Sequence, residues 1–419
     1  MSKSLYFARQ PILDVSGQIF AYELLYRSSS THEFKPIEDG RGATAQVLVN
    51  TLNLTGSKNI LGNAFGFINI DEQLLMDEMV FSIPSEKFVL EILETVKISE
   101  PVIQRIKELK EKGYRFALDD VDCTKEYILN FQPTFEYIDF LKLDITLLDE
   151  AKLPQFLALF KRFNLKILAE KVETQEQFDK YKDFGCDYFQ GFFFARPVII
   201  ENKRLDPEQI YILDMIRQIQ VEYDVDEVSQ RFEQNVALTL QLLRFINSAA
   251  FSFRSSIKSI RQALVLLGPN QLKSWLLLIS YAKPTSGAQG LENPLLKLAQ
   301  TRANMMQTLA KAVYKNKCDN VFLERAAFVG LLSLVEALFQ SPIETILDEL
   351  NVDEEIAQTI TSHKGELGTI FQLVCAVELF DTENVENSLN SMKLDKDVFS
   401  MAIQEAYEIT EKFSLSLNT

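Results

Sequence analysis

The first two hundred residues alternate between two patterns of hydrophobic positions. Short runs rich in valine, isoleucine, phenylalanine and tyrosine have the composition of strands. The longer runs between them, such as residues 101–112 and 155–163, place apolar side chains at helical spacing. The predicted strands are residues 19–26, 64–70, 88–92, 114–118, 137–143, 166–169 and 188–194. This alternation predicts βαβ units, and about seven of them favour a closed (β/α)8-type barrel over an open sheet.

Nearly every predicted strand is apolar until its end, where a polar or charged residue follows. The carboxyl ends of barrel strands converge on one face, and that face carries the functional site of such barrels. Residues scattered along the chain are therefore expected to form a single cluster. Its predicted members are Glu23, Asn69, Glu91, Asp119, Asp120, Lys142, Glu170 and Gln190.

The second half of the chain has a different pattern. Residues 208–416 show mostly the 3.6-residue period of helices, and Asp206-Pro207 followed by Gln209 is a strong helix start. We therefore predict two domains, an α/β barrel over residues 1–204 and an all-α domain over residues 205–419. Leu240, Leu243 and Ile246 are expected in the helical core, and Trp275 is expected between helices or at a domain junction.

Composition narrows the function classes. The chain has 419 residues, a net charge of −16, four cysteines and two histidines. So acidic a surface repels nucleic acid, and the widely spaced cysteines favour reduced thiols over a zinc site. The pattern shows no apolar run long enough to span a bilayer and no signal peptide, so we expect a cytoplasmic protein without membrane insertion.

The chemistry expected at the polar face is that of divalent cations. Carboxylate and amide oxygens suit Mg²⁺, Mn²⁺ or Ca²⁺. Two such ions can activate a water and stabilise the leaving oxygen of a phosphodiester. One ion is expected on Glu23, Asn69, Glu91 and Asp119, and a second on Asp119, Asp120 and Glu170, with Asp119 bridging.

The polar strand ends belong to seven short motifs in a fixed order. Together they resemble the signature of the EAL-domain phosphodiesterases of cyclic di-GMP over residues 5–200. The motifs are Gln10-Pro11-Ile12 with Glu23-Leu24-Leu25 and Arg27, then Asn69, Glu91-Ile92-Leu93-Glu94, Asp119-Asp120, Lys142-Leu143-Asp144, Ala169-Glu170-Lys171-Val172-Glu173-Thr174, and Gln190-Gly191 ending at Pro197.

The resemblance implies a role for each matched residue and a two-metal site for Mg²⁺ or Mn²⁺. The reaction it implies is hydrolysis of cyclic di-GMP to linear pGpG. The implied metal ligands are Glu23, Asn69, Glu91, Asp119 and Asp120. Glu170 and Lys142 would act with the metals and the attacking water, Glu94 would anchor a loop, and Gln10, Arg27, Asp144, Glu173 and Gln190 would bind the ligand.

The chain departs from the family pattern at three places. After the two aspartates the family usually has Phe-Gly-Thr-Gly, whereas residues 121–125 contain no glycine. Leu93 replaces the usual threonine or serine, and Lys171 stands where the family often has glycine. Loss of glycine restricts the backbone of the loop that shapes the second metal site. The predicted metal ligands are retained beside an altered loop, so the sequence supports ligand binding more strongly than it supports turnover.

The helical half resembles an HDOD domain, a relative of the HD hydrolases, through residues 240–249 and 326–336. An HD hydrolase would place its metal-binding His-Asp pair at Ser333 and Leu334, and neither is a good metal ligand. His363 is expected to be a surface or packing residue. The resemblance therefore implies a metal-free module that regulates or binds a protein partner, as in YuxH-like EAL–HDOD signalling proteins.

Three hypotheses follow. The barrel hydrolyses cyclic di-GMP and the helical domain regulates it. Alternatively, the barrel is an inactive cyclic-di-GMP receptor or scaffold that acts through protein contacts. A metabolic barrel enzyme is a third class, but it gives the helical half no role. Barrels of this family often dimerise, so a homodimer is an open alternative.

Overall fold

The computed structural model describes residues 5–28, 60–121, 123–196, 207–247, 259–281, 293–315 and 318–417. Contacts within the chain divide it into two units, Met1–Arg196 and Pro197–Thr419. The boundary predicted between residues 204 and 205 lies outside the described residues.

The strands described in the first unit close into a barrel in chain order. Strands β2 to β8 pair in parallel, and β1 pairs antiparallel with both β2 and β8. The predicted α/β barrel is thus confirmed, with one strand running against the others. The strands are β1 Leu5–Asp14, β2 Ile19–Ser28, β3 Phe65–Ile70, β4 Phe88–Ile92, β5 Arg115–Leu118, β6 Phe140–Asp144, β7 Lys166–Glu170 and β8 Tyr188–Gln190.

Strand β1 was not among the strands predicted from the pattern. It contains Pro11, which lacks the N–H that a central strand donates, and proline argues against an interior strand. In the barrel, β1 pairs with β8 only over Ile12–Asp14. Pro11 therefore lies where β1 has a single partner strand, and its missing N–H disturbs the sheet little.

Helices and short 3₁₀ turns follow the parallel strands. Several helices begin at capping side chains: Asp71 accepts from the Leu74 N–H at 2.8 Å, and Thr174 forms a reciprocal capping box with Gln177. The helices are α1 Glu72–Met76, α2 Glu100–Glu111, α3 Lys125–Phe131, α4 Leu153–Arg162 and α5 Gln175–Phe184, with 3₁₀ turns at Glu78–Ser82, Gln132–Tyr137 and Phe193–Ala195.

The barrel interior has an apolar layer beneath a polar one. Successive side chains of a strand point to opposite faces, so residues i and i+2 both point into the barrel. The interior residue that follows an apolar one is therefore two positions later in the sequence. Phe67 in the apolar layer is followed by Asn69, and Val89 by Glu91. The interior apolar cluster is Ile12, Ala21, Phe67, Val89, Ala117, Phe140 and Leu168.

The other face of each strand packs against the helices. Leu90, Phe116 and Leu141 are fully buried there, within a cluster that includes Ile106 and Phe160 of the helices. Full burial of such side chains contributes about 1.5–3 kcal/mol each. Because both strand faces are covered, β4 and β6 are buried along their whole length, charged residues included.

The described part of the second unit is helical, which confirms the predicted all-α domain. No strand occurs among its described residues. The helices are α6 Pro207–Val221, α7 Val225–Gln234, α8 Val236–Ile246, α9 Ile260–Tyr281, α10 Pro294–Tyr314, α11 Asn320–Leu332, α12 Val335–Phe339, α13 Ile343–Glu349, α14 Glu354–Ser362, α15 Gly365–Glu378, α16 Thr382–Met392 and α17 Lys396–Leu417.

The core face of α8 differs from the predicted one. Leu238, Leu242 and Ile246 are buried, whereas Leu240 is 51% exposed and was wrongly assigned to the core. Residues four apart share one face of a helix, and Leu240 lies on the opposite side. Trp275 is buried between helices as predicted, with its ring 6.2 Å from that of Phe232.

Helix α9 corrects one expectation. By length and composition it is apolar enough to cross a membrane, the one such helix among the described residues. Its course is that of a core helix, because Gly268 has a non-helical φ of 69° and Pro269 follows it. Trp275 and Leu276 beyond the kink are buried inside the helical unit.

Candidate functional site

The Lys142 ammonium lies at the centre of the polar layer and contacts four carboxylates. Its side chain is 1% exposed, and it comes from β6. The Nζ atom lies 2.7 Å from Asp119, 2.9 Å from Glu91, 3.0 Å from Glu170 and 3.5 Å from Glu23. These acids come from four different strands or strand ends, so closure of the barrel alone brings them together.

Burial makes this cluster electrostatically strained. It raises the pKa of the Glu91 carboxyl well above its usual value, although Lys142 opposes the rise. Burial likewise raises the pKa of Glu170 to about 8. Burial also works against the charged form of Lys142, but the surrounding carboxylates, Glu170 first among them, outweigh it and hold the pKa of Lys142 well above its usual value.

Glu23 is held by side-chain amides on both sides. The Gln190 Nε2 donates to Glu23 at 2.5 Å and to the Gln10 Oε1 at 2.9 Å. The Asn69 Nδ2 donates a longer bond of 3.4 Å to the other Glu23 oxygen. Gln10 reaches this layer because the antiparallel β1 places it directly opposite Glu23. The amides fix the orientation of this carboxylate.

Several buried oxygens in the layer lack a hydrogen-bond donor. The Asn69 Oδ1 and the Glu91 Oε2 have none among the described residues, whereas the Glu91 Oε1 lies 2.9 Å from the Lys142 ammonium. Unsatisfied buried oxygens are costly unless a cation or a donor meets them. Together with Glu23 and Asp119 they are hard ligands of the kind that Mg²⁺ and Mn²⁺ prefer. The donor set therefore fits a divalent cation.

A second carboxylate group lies at the outer edge of this layer. Oxygens of Glu94, Asp119 and Asp120 lie within 4.8 Å of one another. Burial raises the pKa of Glu94 and of Asp120, and the charge of Asp119 adds to both shifts. The geometry thus places Glu94 beside the two aspartates.

The loop after Asp120 accommodates the loss of glycine in part. Cys123 adopts a left-handed φ of 55°, which is uncommon for a residue with a side chain. Thr124 has an ordinary φ of −80° and caps α3 by accepting from the Tyr127 N–H at 3.1 Å. Tyr127 donates its hydroxyl to the Asp119 carbonyl at 3.0 Å, a contact that no sequence pattern indicated. Asp122 lies outside the described residues.

Asp144 is fully engaged by neighbouring donors. One of its carboxylate oxygens accepts from the Thr146 N–H at 2.8 Å and the Thr146 hydroxyl at 2.6 Å. The other oxygen pairs with the Lys171 ammonium. Asp144 itself is 1% exposed, and these donors lower its pKa against the effect of burial. The Lys171 contact was missed at the sequence level, where the only signal was a lysine at a position that is often glycine.

Two of the predicted ligand-binding residues remain, Glu173 and Arg27. Glu173 is exposed and pairs with Arg196 at 2.7 Å. Arg27 lies near the end of β2, and its side chain belongs to the part of the chain that the structure does not describe. Their ligand-binding roles stay predictions.

In the helical unit the Arg302 guanidinium contacts Ser333, one of the two positions where an HD hydrolase would place its metal-binding His-Asp pair. Ser333 accepts from the Arg302 Nη1 at 2.8 Å, and Arg302 forms a bidentate pair with Glu378, with contacts of 3.0 and 2.6 Å. Arg302 and Glu378 are both largely buried. His363 is exposed, ends α14 and packs its ring against Phe371 at 5.3 Å, which agrees with a surface or packing role.

Family models match both halves of the chain. The model described as EAL domain matches residues 2–197, and the model described as HDOD domain matches residues 210–352. A search of solved structures finds an EAL-domain protein from Listeria monocytogenes at 19% identity and a TM-score of 0.37, covering 46% of this chain and 88% of that one.

Two curated proteins match over almost the full length. The uncharacterised protein YuxH of Bacillus subtilis is 29% identical over 408 residues, 96% of this chain and 96% of that protein. The cyclic di-GMP phosphodiesterase CdgJ of Vibrio cholerae is 29% identical over 404 residues, 96% of this chain and 91% of that protein. With both domain models matched in order, the chain belongs to the proteins that join an EAL domain to an HDOD domain.

Proposed function

We propose that this chain is a cyclic-di-GMP signalling protein whose EAL barrel binds cyclic di-GMP through a divalent cation and hydrolyses it to linear pGpG. The observation that carries the proposal is the Lys142 cluster: one buried ammonium faces four carboxylates, and the Glu91 Oε2 and the Asn69 Oδ1 have no donor among the described residues. Such a layer attracts a divalent cation, and its position at the carboxyl ends of the strands is where barrels carry their chemistry.

Each residue has a distinct part in the proposed reaction. Glu23, Asn69, Glu91 and Asp119 would hold the ion, Mg²⁺ or Mn²⁺, which when bound lowers the pKa of water and neutralises phosphate charge. Glu170 would take up a proton from the attacking water once the bound ion favours its ionised form. As that water adds to phosphorus, one bond to a ribose oxygen breaks, and that oxygen takes a proton from solvent. Lys142, 3.0 Å from Glu170, balances the charge that develops.

We also propose that the HDOD domain acts as a regulatory or protein-interaction module without a metal. The support is the Arg302 guanidinium, which pairs with Glu378 and Ser333 in the region where a related hydrolase would bind metal. A fixed, buried cation at that place disfavours a metal ion. The protein partner, a homodimer and the cytoplasmic location stay predictions.

The test incubates the purified full chain with cyclic di-GMP and Mn²⁺ or Mg²⁺ and follows pGpG by chromatography. We expect product from the wild type and none above background from Glu91→Gln, which keeps the side-chain shape but removes the charge. Glu111→Gln is the matched control, because Glu111 is an exposed glutamate at the end of α2. It should leave turnover unchanged.

The same experiment addresses the receptor hypothesis. If calorimetry on the same sample detects binding of cyclic di-GMP but no pGpG is formed, the chain is a receptor and not an enzyme. The left-handed Cys123 in the loop beside the site is the feature that favours this second candidate. If the chain shows no binding and forms no product with either metal, the proposal as a whole is refuted.

A further inference from the structure

Asp119 is the carboxylate that the two acidic groups of the site share. One of its oxygens lies 2.7 Å from the Lys142 ammonium at the centre of the polar layer. Asp119 also belongs to the outer group with Glu94 and Asp120, in which oxygens of the three acids lie within 4.8 Å of one another. A shift of its backbone would therefore disturb both groups at once.

The backbone of Asp119 has less support from the sheet than the backbones of Glu91 and Glu170. Glu91 lies inside β4 and Glu170 is the last residue of β7, whereas Asp119 lies one residue beyond the end of β5. Its N–H still donates to the Ile92 carbonyl of β4 at 3.1 Å. The next residue, Asp120, has a left-handed φ of 43°, so the chain leaves the direction of the strand directly after Asp119.

A tyrosine side chain binds the carbonyl side of the Asp119 residue. The Tyr127 hydroxyl, carried by α3, donates to the Asp119 carbonyl at 3.0 Å. The Tyr127 ring is stacked on that of Phe131 with the ring centroids 4.4 Å apart, and the Tyr127 N–H donates to the Thr124 hydroxyl at 3.1 Å. Phe131 in turn is buried in the core between the strands and the helices. The hydroxyl therefore belongs to a residue that is itself fixed on two sides.

This hydrogen bond bridges the loop that lacks glycine. Residues 121–124 connect the two aspartates to α3, and Cys123 among them has a left-handed φ of 55°, which is strained for a residue with a Cβ. Relaxation of such a loop would displace its ends, and Asp119 is at the end that reaches the site. Because Tyr127 joins the helix after the loop to the residue before it, the hydroxyl opposes that displacement.

We propose that Tyr127 is a positioning residue of the metal site, whose hydroxyl holds the Asp119 backbone so that the Asp119 carboxylate meets the divalent cation. The inference rests on the proposed function, because it assumes that Asp119 is a ligand of the ion beside Glu91. Tyr127 lies outside the seven sequence motifs, so its role follows from the contact with Asp119 alone.

The test measures the affinity of the full chain for Mn²⁺ by isothermal titration calorimetry, and its stability by urea denaturation without metal. Tyr127→Phe removes the hydroxyl and keeps the ring, whereas Tyr127→Leu removes both. Tyr114→Phe is the matched control, because Tyr114 directly precedes β5 at the other end of the same strand. Its hydroxyl donates to the carbonyls of Ile83 and Val80 at 2.9 and 3.1 Å, so the control also loses a tyrosine–carbonyl contact, but away from the site.

We expect the Mn²⁺ affinity of Tyr127→Phe to fall about tenfold, within the range typical of residues that orient metal ligands, and that of Tyr127→Leu to fall at least as far. Tyr114→Phe should lose stability but keep the wild-type affinity. Wild-type affinity in Tyr127→Phe would overturn the inference whatever Tyr127→Leu shows, because the hydroxyl would then have no part in metal binding. An equal loss of affinity in Tyr114→Phe would also overturn it, since general destabilisation would explain both results.

The wild type separates this inference from the proposed function. If the wild type binds Mn²⁺ and forms pGpG while Tyr127→Phe binds Mn²⁺ equally tightly, only the role of Tyr127 is refuted. If the wild type binds Mn²⁺ but forms no pGpG, hydrolysis is refuted while the affinities still decide the role of Tyr127. If the wild type binds no Mn²⁺, the proposed ion site and the inference are both refuted.

Discussion

At the scale of single residues, the site depends on charges that the barrel buries against their own preference. Lys142 remains an ammonium because four carboxylates surround it. Its positive charge in turn offsets the repulsion among those carboxylates. Removing either kind of charge leaves the other buried without compensation, which costs several kcal/mol in typical proteins. The cluster therefore depends on the balance between one ammonium and four acids, and a divalent cation would add positive charge beside those acids.

The amide of Gln190 gives the first residue-scale prediction. Gln190→Met keeps the length of the side chain but removes the bonds to Glu23 and Gln10, so Glu23 loses its fixed orientation. Partners that orient metal ligands typically contribute about 10–100-fold to metal affinity, and we expect Mn²⁺ binding to weaken by that factor in calorimetry. Gln104→Met, which removes an exposed amide bond to Glu100, is the control. Equal affinity in the two variants would contradict the orienting role.

The second residue-scale prediction concerns pH. The pKa of Glu170 is about 8 in the folded protein against an ordinary value of 4.5, so between these values the folded state holds a proton that the unfolded state has released. Stability of the ion-free protein should therefore be greatest at the acidic end of this window and fall as the pH rises through about 8.

Thermal unfolding in EDTA between pH 6 and pH 9 measures this effect. Glu170→Gln carries no titrating carboxyl and should flatten the decline, while Glu111→Gln should not. A decline of equal steepness in all three proteins would show that Glu170 is not its source.

At the scale of elements, β7 and β8 supply Glu170 and Gln190 from their last residues, and backbone hydrogen bonds of Val172 fix the turns that follow them. The turn after β8 is the clearest case. Gly191 has a φ of 146°, and a Cβ there would lie 1.9 Å from the Val172 carbonyl oxygen. The ends of β7 and β8 are thus in backbone contact, directly beside Glu170 and Gln190. This contact sets where the two side chains enter the polar layer.

Gly191→Ala should accordingly destabilise the barrel by about 2–4 kcal/mol, because the backbone of Val172 must move. Gly17→Ala is the matched control, since its φ of 76° is also left-handed but nothing lies within 4 Å of its Cβ. That substitution should cost only the conformational strain, about 1–2 kcal/mol. Urea denaturation compares the two variants, and similar losses would argue against the close contact.

At the scale of the whole molecule, charge decides what the barrel can bind. The chain has a net charge of −16, and cyclic di-GMP is a dianion, so unaided association is unfavourable. The carboxylate layer adds to this repulsion unless a cation neutralises it.

We therefore expect cyclic di-GMP binding to the full chain, measured by calorimetry, to weaken in EDTA and to recover with Mn²⁺. The affinity should fall by at least about tenfold, which corresponds to about 1.4 kcal/mol. High salt screens the long-range repulsion but does not replace the inner ion, so it should not restore binding. Binding that persists in EDTA would place the ligand elsewhere on the chain.

The amino-acid sequence determined the two-domain plan, the barrel class and the identity of the polar layer. It could do so because a period of two is a local property of a strand, and residues such as Asn69 and Glu91 show their position by following an apolar run. The same local pattern did not identify β1, because Pro11 is unusual inside a strand and only closure of the barrel gives it a place with one partner. It also placed Leu240 in the core, because a short apolar stretch does not by itself show which helical face is covered.

The tertiary structure alone decided which charges touch. That one lysine meets four acids, that Lys171 engages Asp144, and that Gly191 abuts Val172 depend on strand order and on distances across the barrel. These distances join residues far apart along the chain, and no local period encodes them. Sequence fixes what each position offers chemically, and closure of the sheet fixes which of those groups share a buried charge.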